Sequence, residues 1–322
     1  MQNTNTLTFT SVFEQEVYEG LTSYPKQLSS KYFYDAIGDK LFQDIMAMPE
    51  YYLTDCEFDI LDTEKNDITT LFSLGGSPFS LFELGAGDGK KTKILLRHFV
   101  KNNISFDYRP IDISQNALNQ LESSIKDEIP EVEVNTIQGT YFDTLRDIGN
   151  ANARKKIILF LGSNIGNLEH SQAVHFLRNM RDSINQGDLI FMGFDQKKHP
   201  QVILDAYNDK AGITEAFNKN ILTRINKEMD GNFDLDLFLH WEVYDPETGT
   251  AKSYLVSKVE QTVQIESLAL EIHFNAWETI HTEISQKYDD ETVKWLVKEA
   301  GLTIVTAFSD KEQYYKNYIF KK

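Results

Sequence analysis

The sequence predicts an α/β fold in which a parallel, doubly wound sheet is joined to a second, smaller α+β domain. Three observations lead there. A short, mostly apolar run over 79–84 gives way at once to a glycine turn and then to a helical pattern. A continuous apolar run over 157–161, and a similar pattern over 188–194 that is apolar after Asp188, separated by a helical stretch, have the character of strands covered on both faces. Beyond Pro200 the alternation loosens into helices and a hairpin.

Taken in order, the apolar positions over 15–60 recur mostly at helical spacing, with interruptions near Ser29, Ser30 and Pro49. This predicts short helices around an aromatic-rich segment that packs as a cap. Residues 79–84 read as a strand, Gly85-Ala86-Gly87-Asp88-Gly89 as a turn, and 90–100 as a helix. A strand over 106–113 and a helix over 116–125 continue the alternation, followed by a strand over 157–161, a helix over 171–184 and a strand over 188–194. Strands that succeed one another through helices imply parallel neighbours. Helices over 202–207 and 213–228 come next. Strands over 241–244 and 253–259 flank Asp245-Pro246-Glu247-Thr248-Gly249, a turn composition that predicts an antiparallel hairpin. A helix over 290–300 and short strands over 302–308 and 315–320 close the sheet. The expected domains are therefore 1–60 with 201–286, and 61–200 with 287–322.

Composition narrows the function classes. A chain of 322 residues that is 41% hydrophobic can bury one large core or two modest ones. No stretch approaches the roughly 18 to 20 consecutive apolar residues of a membrane span. Residues 1–11 are polar, without a basic region or hydrophobic segment, so a cytoplasmic protein with no membrane partner is expected. The lone cysteine, Cys56, has no internal disulfide partner. A net charge of −17 argues against nucleic acid, whose binding draws on clustered Lys and Arg.

The chemistry starts at Glu83-Leu84-Gly85-Ala86-Gly87-Asp88-Gly89, because residues without side chains let backbone N–H groups approach a ligand at a helix N-terminus. A P-loop would need glycine at Leu84 and Ser or Thr at Lys91, and both fail. The dinucleotide fingerprint also fails, since the third glycine falls one residue early; a NAD(P)-dependent oxidoreductase becomes the less favoured reading. What remains is an acid, a G-x-G-x-G turn and a second acid, Asp112, at the end of the next predicted strand. This resembles the class I S-adenosylmethionine-dependent methyltransferase pattern, a Rossmann-like sheet. There the second acid accepts hydrogen bonds from both ribose hydroxyls, as a carboxylate's two oxygens can.

Other constellations are set aside. The run from Asp230 begins like a calcium loop but has Leu235 where glycine is needed and Trp241 where glutamate is needed. The seven histidines show no metal-ligand spacing, and no metal is expected. Ser163 lacks the glycine two residues on that a nucleophile elbow requires.

Several segments, spread over nearly the whole chain, resemble the histidine-specific Nα-methyltransferase family of ergothioneine biosynthesis. They are Lys31-Tyr32-Phe33-Tyr34-Asp35, Pro49-Glu50-Tyr51-Tyr52, the glycine turn with Lys90-Lys91-Thr92, Gly162-Ser163-Asn164-Ile165-Gly166-Asn167-Leu168, Phe233-Asp234-Leu235-Asp236 and Glu283-Ile284-Ser285. The resemblance implies that Tyr34, Gly85, Ala86, Gly87, Lys91, Asp112, Thr140 and Tyr141 line the cofactor pocket. Phe42, Tyr51, Gly162, Asn167, Tyr207, Ser253, Glu283 and Ser285 would surround a free amino acid, with Tyr51 and Asn167 as the catalytic positions. S-adenosylmethionine would be the cofactor and S-adenosylhomocysteine its product. The amino acid, with L-histidine first, would be the small-molecule partner, the protein would act as a monomer, and domain 1–60 with 201–286 would bind substrate. Two positions depart from the family: Thr140 replaces an acid, and Ser253 stands where a pocket methionine would align. Taken alone, Tyr51, Tyr52 and Tyr207 read as packing aromatics, Glu283 and Ser285 as a solvated strand face, and Asn167 as a turn residue.

Overall fold

The computed structural model describes residues 9–150 and 154–322, so the reading of the first eight residues as a polar start lies outside them. The chain divides into two compact units, Met1–Tyr52 with His199–Ser285, and Leu53–Lys198 with Gln286–Lys322.

The second unit is built on a seven-stranded sheet. Its strands are β1 (Phe79–Leu84), β2 (Phe106–Asp112), β3 (Ile137–Gln138), β4 (Lys155–Phe160), β5 (Leu189–Asp195), β6 (Thr303–Ser309) and β7 (Tyr315–Lys321), in the spatial order β6-β7-β5-β4-β1-β2-β3. All six residues of β1 and all seven of β5 are buried, as strands covered on both faces require, with Ser80, Glu83 and Asp195 as their polar members. β1 runs parallel to β2 and β4, and β5 parallel to β4, through helical crossovers. The all-parallel expectation needs one correction. β7 runs antiparallel to both β5 and β6, because the short turn joining β6 to β7 leaves no room for a crossover.

Strand pleating sorts the core onto two faces. Phe82, Leu84, Ile158, Phe160, Ile190 and Met192 pack with the helices His170–Ser183 and Asp290–Ala300. Phe79 and Phe191 instead meet Phe72 and Phe99, at ring separations of 6.3 Å for Phe72–Phe79, 5.6 Å for Phe79–Phe99 and 5.7 Å for Phe72–Phe191. These bring in the helices Lys65–Phe72 and Thr92–Lys101. Helices on both faces make the sheet doubly wound.

The first unit packs the helices Val12–Thr22, Ala36–Met46, Pro200–Tyr207 and Ile213–Glu228 with a four-stranded sheet and a two-stranded ribbon, Gln261–Ile265 with Leu270–Phe274. The hairpin at 245–249 forms as predicted, with longer strands than expected, Phe238–Asp245 and Thr250–Ser257. Gly249 takes φ 76° in its turn. The Asp245 carboxylate closes the turn by accepting from the Glu247 amide and the Thr248 hydroxyl, each at 2.9 Å. The four-stranded sheet continues through Thr279–Gln286, the strand that carries Glu283 and Ser285.

Candidate active site

The strand order reverses between β1 and β4, and two loops leave the carboxyl ends of these neighbours. In open α/β sheets that crevice is where ligands bind. After β1 the chain turns through Gly85 at φ 71° and Gly87 at φ 52°, values that suit a residue without Cβ. The Gly85 and Ala86 amides donate to the Ile111 carbonyl at 2.8 and 3.3 Å, tying the turn to β2. Asp112, at the end of β2, accepts from the Gly87 amide at 3.3 Å and the Ser114 amide at 2.9 Å.

A Cβ on Gly85 would lie 2.5 Å from the Tyr141 hydroxyl and 3.7 Å from Asn164 Nδ2, so the turn, Tyr141 and the loop after β4 converge at one point. Beside Gly87 the space is open, with nothing within 4 Å of such an atom. Tyr141 opens the helix Tyr141–Asn150 with its ring centroid 5.3 Å from that of Phe160; burial, then the Asp112 charge, pushes its phenol up. Thr140 is exposed, and its hydroxyl donates to Asp143 at 2.7 Å. An open glycine turn beside an acceptor-only carboxylate fits a nucleoside whose hydroxyls must donate.

The loop after β4 starts with two successive left-handed residues, Gly162 at φ 74° and Ser163 at φ 57°. Such a conformation is costly for serine and has to be imposed by surrounding bonds. Here the Ser163 hydroxyl accepts from the Asp195 amide at 2.9 Å. Gly166 lies against the backbone of Gln286, 2.9 Å from a would-be Cβ to its carbonyl oxygen, and Asn167 ends the turn with its side chain exposed.

In the first unit, Asp35 caps Ala36–Met46 by accepting from the Gly38 amide at 2.8 Å and the Asn220 side chain at 2.9 Å. Asn220 also donates to the Phe33 carbonyl at 3.0 Å, which fixes the segment bearing Tyr34. Phe42, on the capped helix, has its ring centroid 5.5 Å from Tyr34 and 6.3 Å from Tyr51. Tyr51 lies 6.4 Å from Tyr207, whose hydroxyl is 2.8 Å from the Ser285 hydroxyl. Tyr34, Phe42 and Tyr51 from one stretch of the chain and Tyr207 from far along it thus form a continuous series ending at the strand of Glu283 and Ser285. The main chain of Tyr207 is held by His240, whose Nε2 donates to its carbonyl at 3.0 Å, while Nδ1 accepts from Asn218 at 2.8 Å. Ser253 is buried, with its hydroxyl donating to Glu242 at 2.7 Å and its carbonyl accepting from Thr282 at 3.0 Å.

Two buried glutamates of the second unit, Glu57 and Glu83, stand outside the pocket residues that the resemblance implies. Glu57 lies on the buried stripe Leu53, Glu57, Ile60, Leu61 of the helix Tyr52–Thr63, where helical spacing calls for an apolar residue. That mismatch was the signal to find it. Glu57 is fully buried and reaches both Lys91 and the Gly162 amide. Glu83, buried at the end of β1, accepts from Thr92 at 2.6 Å and from the Tyr108 hydroxyl. It therefore braces the start of the helix after the turn.

Burial pushes the Glu83 carboxyl up to about 7, against the opposing hydrogen bonds from Thr92 and Tyr108. The folded chain keeps this proton at pH values where the unfolded chain has released it. Its own contribution to stability is thus fully present below the ordinary glutamate value of 4.5 and is lost as pH rises to about 7. The full contribution is on the order of 3 kcal/mol. Glu83→Gln is expected to flatten this slope in urea midpoints measured across the range; an unchanged slope would assign it to another group.

The family described as histidine-specific methyltransferase, SAM-dependent, matches residues 13–322. A histidine N-alpha-methyltransferase of Mycolicibacterium smegmatis is 35% identical over 288 residues, covering 89% of this chain and 88% of that protein. Another, of Mycobacterium tuberculosis, is 31% identical over 297 residues, covering 92% and 91%. Ergothioneine biosynthesis protein 1 of Schizosaccharomyces pombe is 30% identical over 304 residues, covering 92% of this chain and 39% of that longer protein. A doubly wound sheet, an open glycine turn facing Asp112 and this match along nearly the whole length agree: the chain belongs to the family of histidine-specific, S-adenosylmethionine-dependent methyltransferases.

Proposed function

We propose that this enzyme methylates the α-amine of L-histidine three times, giving the trimethylated betaine hercynine and releasing S-adenosylhomocysteine at each turn. The reading is carried by the series Phe42, Tyr51, Tyr207, Ser285 leading to Glu283, in a chain whose relatives bear that activity in their names. An imidazole offers one N–H donor and one acceptor nitrogen; Glu283 accepts from the first and the Ser285 hydroxyl donates to the second. Asn167 has both a donor and an acceptor, which suits an α-amino or α-carboxylate group without imposing a charge. Tyr51 borders the amine with its ring face and hydroxyl.

In the second unit, Gly85, Ala86 and Gly87 let the main chain approach the cofactor closely, Asp112 takes the ribose hydroxyls, Lys91 and Thr140 border its ends, and Tyr141 packs beside the turn. In the first unit, Tyr34 is the residue we assign to the cofactor. The bound cofactor supplies an electrophilic methyl on sulfur. The amine lone pair forms the new N–C bond as the C–S bond breaks, the electron pair stays on sulfur, and the ammonium releases one proton before each attack. The residues contribute by aligning donor and acceptor and by keeping water out.

The domain with Glu283 is the substrate-binding one, and the protein works as a cytoplasmic monomer without nucleic-acid partners. The buried Ser253–Glu242 pair, in place of a methionine, favours a second reading in which a related amino acid is preferred. Both are tested by offering each free amino acid with S-adenosylmethionine and following the mass of the product. Histidine gaining three methyl groups fastest is the expected result; no gain on histidine would overturn the first reading, and a faster gain on another amino acid would establish the second.

A further inference from the structure

Glu57 is a buried carboxylate with four donors. Oε2 accepts from Lys91 Nζ at 2.5 Å and the Gly162 amide at 2.8 Å; Oε1 accepts from the Tyr315 hydroxyl at 3.0 Å and Asn317 Nδ2 at 2.9 Å. An ionised carboxylate out of water costs several kcal/mol unless bonds of this kind compensate it. The two oxygens, however, serve different parts of the fold. Oε1 is fastened to β7, inside the sheet, whereas Oε2 bridges the two loops at the reversal of strand order. Lys91 belongs to the segment after the glycine turn, and Gly162 starts the loop after β4. They are close enough that a Cβ on Gly162 would lie 3.6 Å from Lys91 Nζ.

We propose that Glu57 is a positioning residue for methyl transfer. Anchored to the sheet through one oxygen, it sets the cofactor loop and the amino-acid loop in register through the other. This rests on the assignment of Lys91 to the cofactor and Gly162 to the amino acid given above. A residue that aligns two bound reactants matters most once both are in place, so its loss shows in kcat more than in the binding of either one.

Glu57→Gln is the informative variant, since Gln keeps the shape and loses the charge. Asn317 can accommodate it: its buried Oδ1 has no hydrogen-bond partner, and a rotated amide would turn that oxygen toward the new Gln N–H. The expected result is a kcat lower by about tenfold or more, with the cofactor Kd from calorimetry and the amino-acid KM each within about threefold, because misplacement of around an ångström costs up to about a hundredfold. A merely structural role would move the melting temperature and leave kcat per folded molecule unchanged, and that overturns the proposal. So does a kcat loss matched by equal losses in both binding constants. Should Glu57→Gln not fold, Tyr315→Phe frees one anchor and is expected to lower kcat about threefold; an unchanged kcat there overturns the proposal. The assays use whichever amino acid the unmutated enzyme methylates fastest, so a failure of histidine as substrate shows in that enzyme, separately from any effect at position 57.

Discussion

Asp112→Ala is expected to weaken S-adenosylmethionine binding by about a hundredfold, while the amino-acid KM stays within about threefold. The carboxylate is held by two backbone amides, Gly87 at 3.3 Å and Ser114 at 2.9 Å, one on each oxygen. An ionised carboxylate has about four acceptor sites, so roughly two remain for the ribose hydroxyls. Hydrogen bonds to a charged group contribute about 1.5 to 3 kcal/mol each, and two of them at the lower end, about 3 kcal/mol together, correspond to roughly the hundredfold. Alanine also releases the Gly87 amide, loosening the turn proposed to approach the cofactor. Asp112→Asn separates the two effects, because it keeps the shape, loses the charge and presents a donor where an amide already points; an intermediate loss is expected. Calorimetric titration gives both values. Affinity within threefold of the unmutated enzyme in the alanine variant would remove Asp112 from the ribose.

The glycine turn was readable because its determinants are local: β1, the turn and its helix are consecutive, and glycine is needed where φ is positive, as at Gly85 and Gly87. The hairpin at 245–249 was readable for the same reason. The antiparallel course of β7 was not, since strand periodicity gives the buried face and says nothing of direction. Glu57 was legible only as a charge on an apolar stripe; its partners Lys91, Gly162, Tyr315 and Asn317 come from three other parts of the unit, and pairing over such distances leaves no spacing to detect. Nothing local links Phe42, Tyr51 and Tyr207 either, and there family resemblance supplied what periodicity could not. The ribbon of Gln261–Ile265 with Leu270–Phe274 leaves little signal in the sequence, because its alternation is short and its polar face exposed.

Glu283→Ala is expected to lower kcat/KM for histidine by about thirtyfold and to leave the cofactor Kd unchanged, the reverse of the Asp112 result. Glu283 sits two residues before Ser285 on one strand, so both side chains emerge on the same side. Ser285 is further fixed by the Tyr207 hydroxyl at 2.8 Å, and the Glu283 carbonyl accepts from His281 Nε2 at 3.0 Å, so the strand is braced on both sides of the carboxylate. On the proposed binding of histidine, removing the carboxylate deletes one charge-assisted hydrogen bond to the imidazole N–H, and about 2 kcal/mol corresponds to that thirtyfold. The same change removes a group that an apolar amino acid would have to desolvate without compensation. The decisive quantity is therefore the ratio of kcat/KM for histidine to that for leucine or phenylalanine, which should fall further than the histidine value alone. Ser285→Ala should act in the same direction and less strongly, since a neutral hydroxyl makes the weaker bond and Tyr207 remains to donate in its place. If Glu283→Ala lowers every amino acid equally, the carboxylate supports the strand and does not read the ring, and the identity of the substrate would have to be sought in the aromatic series around Phe42.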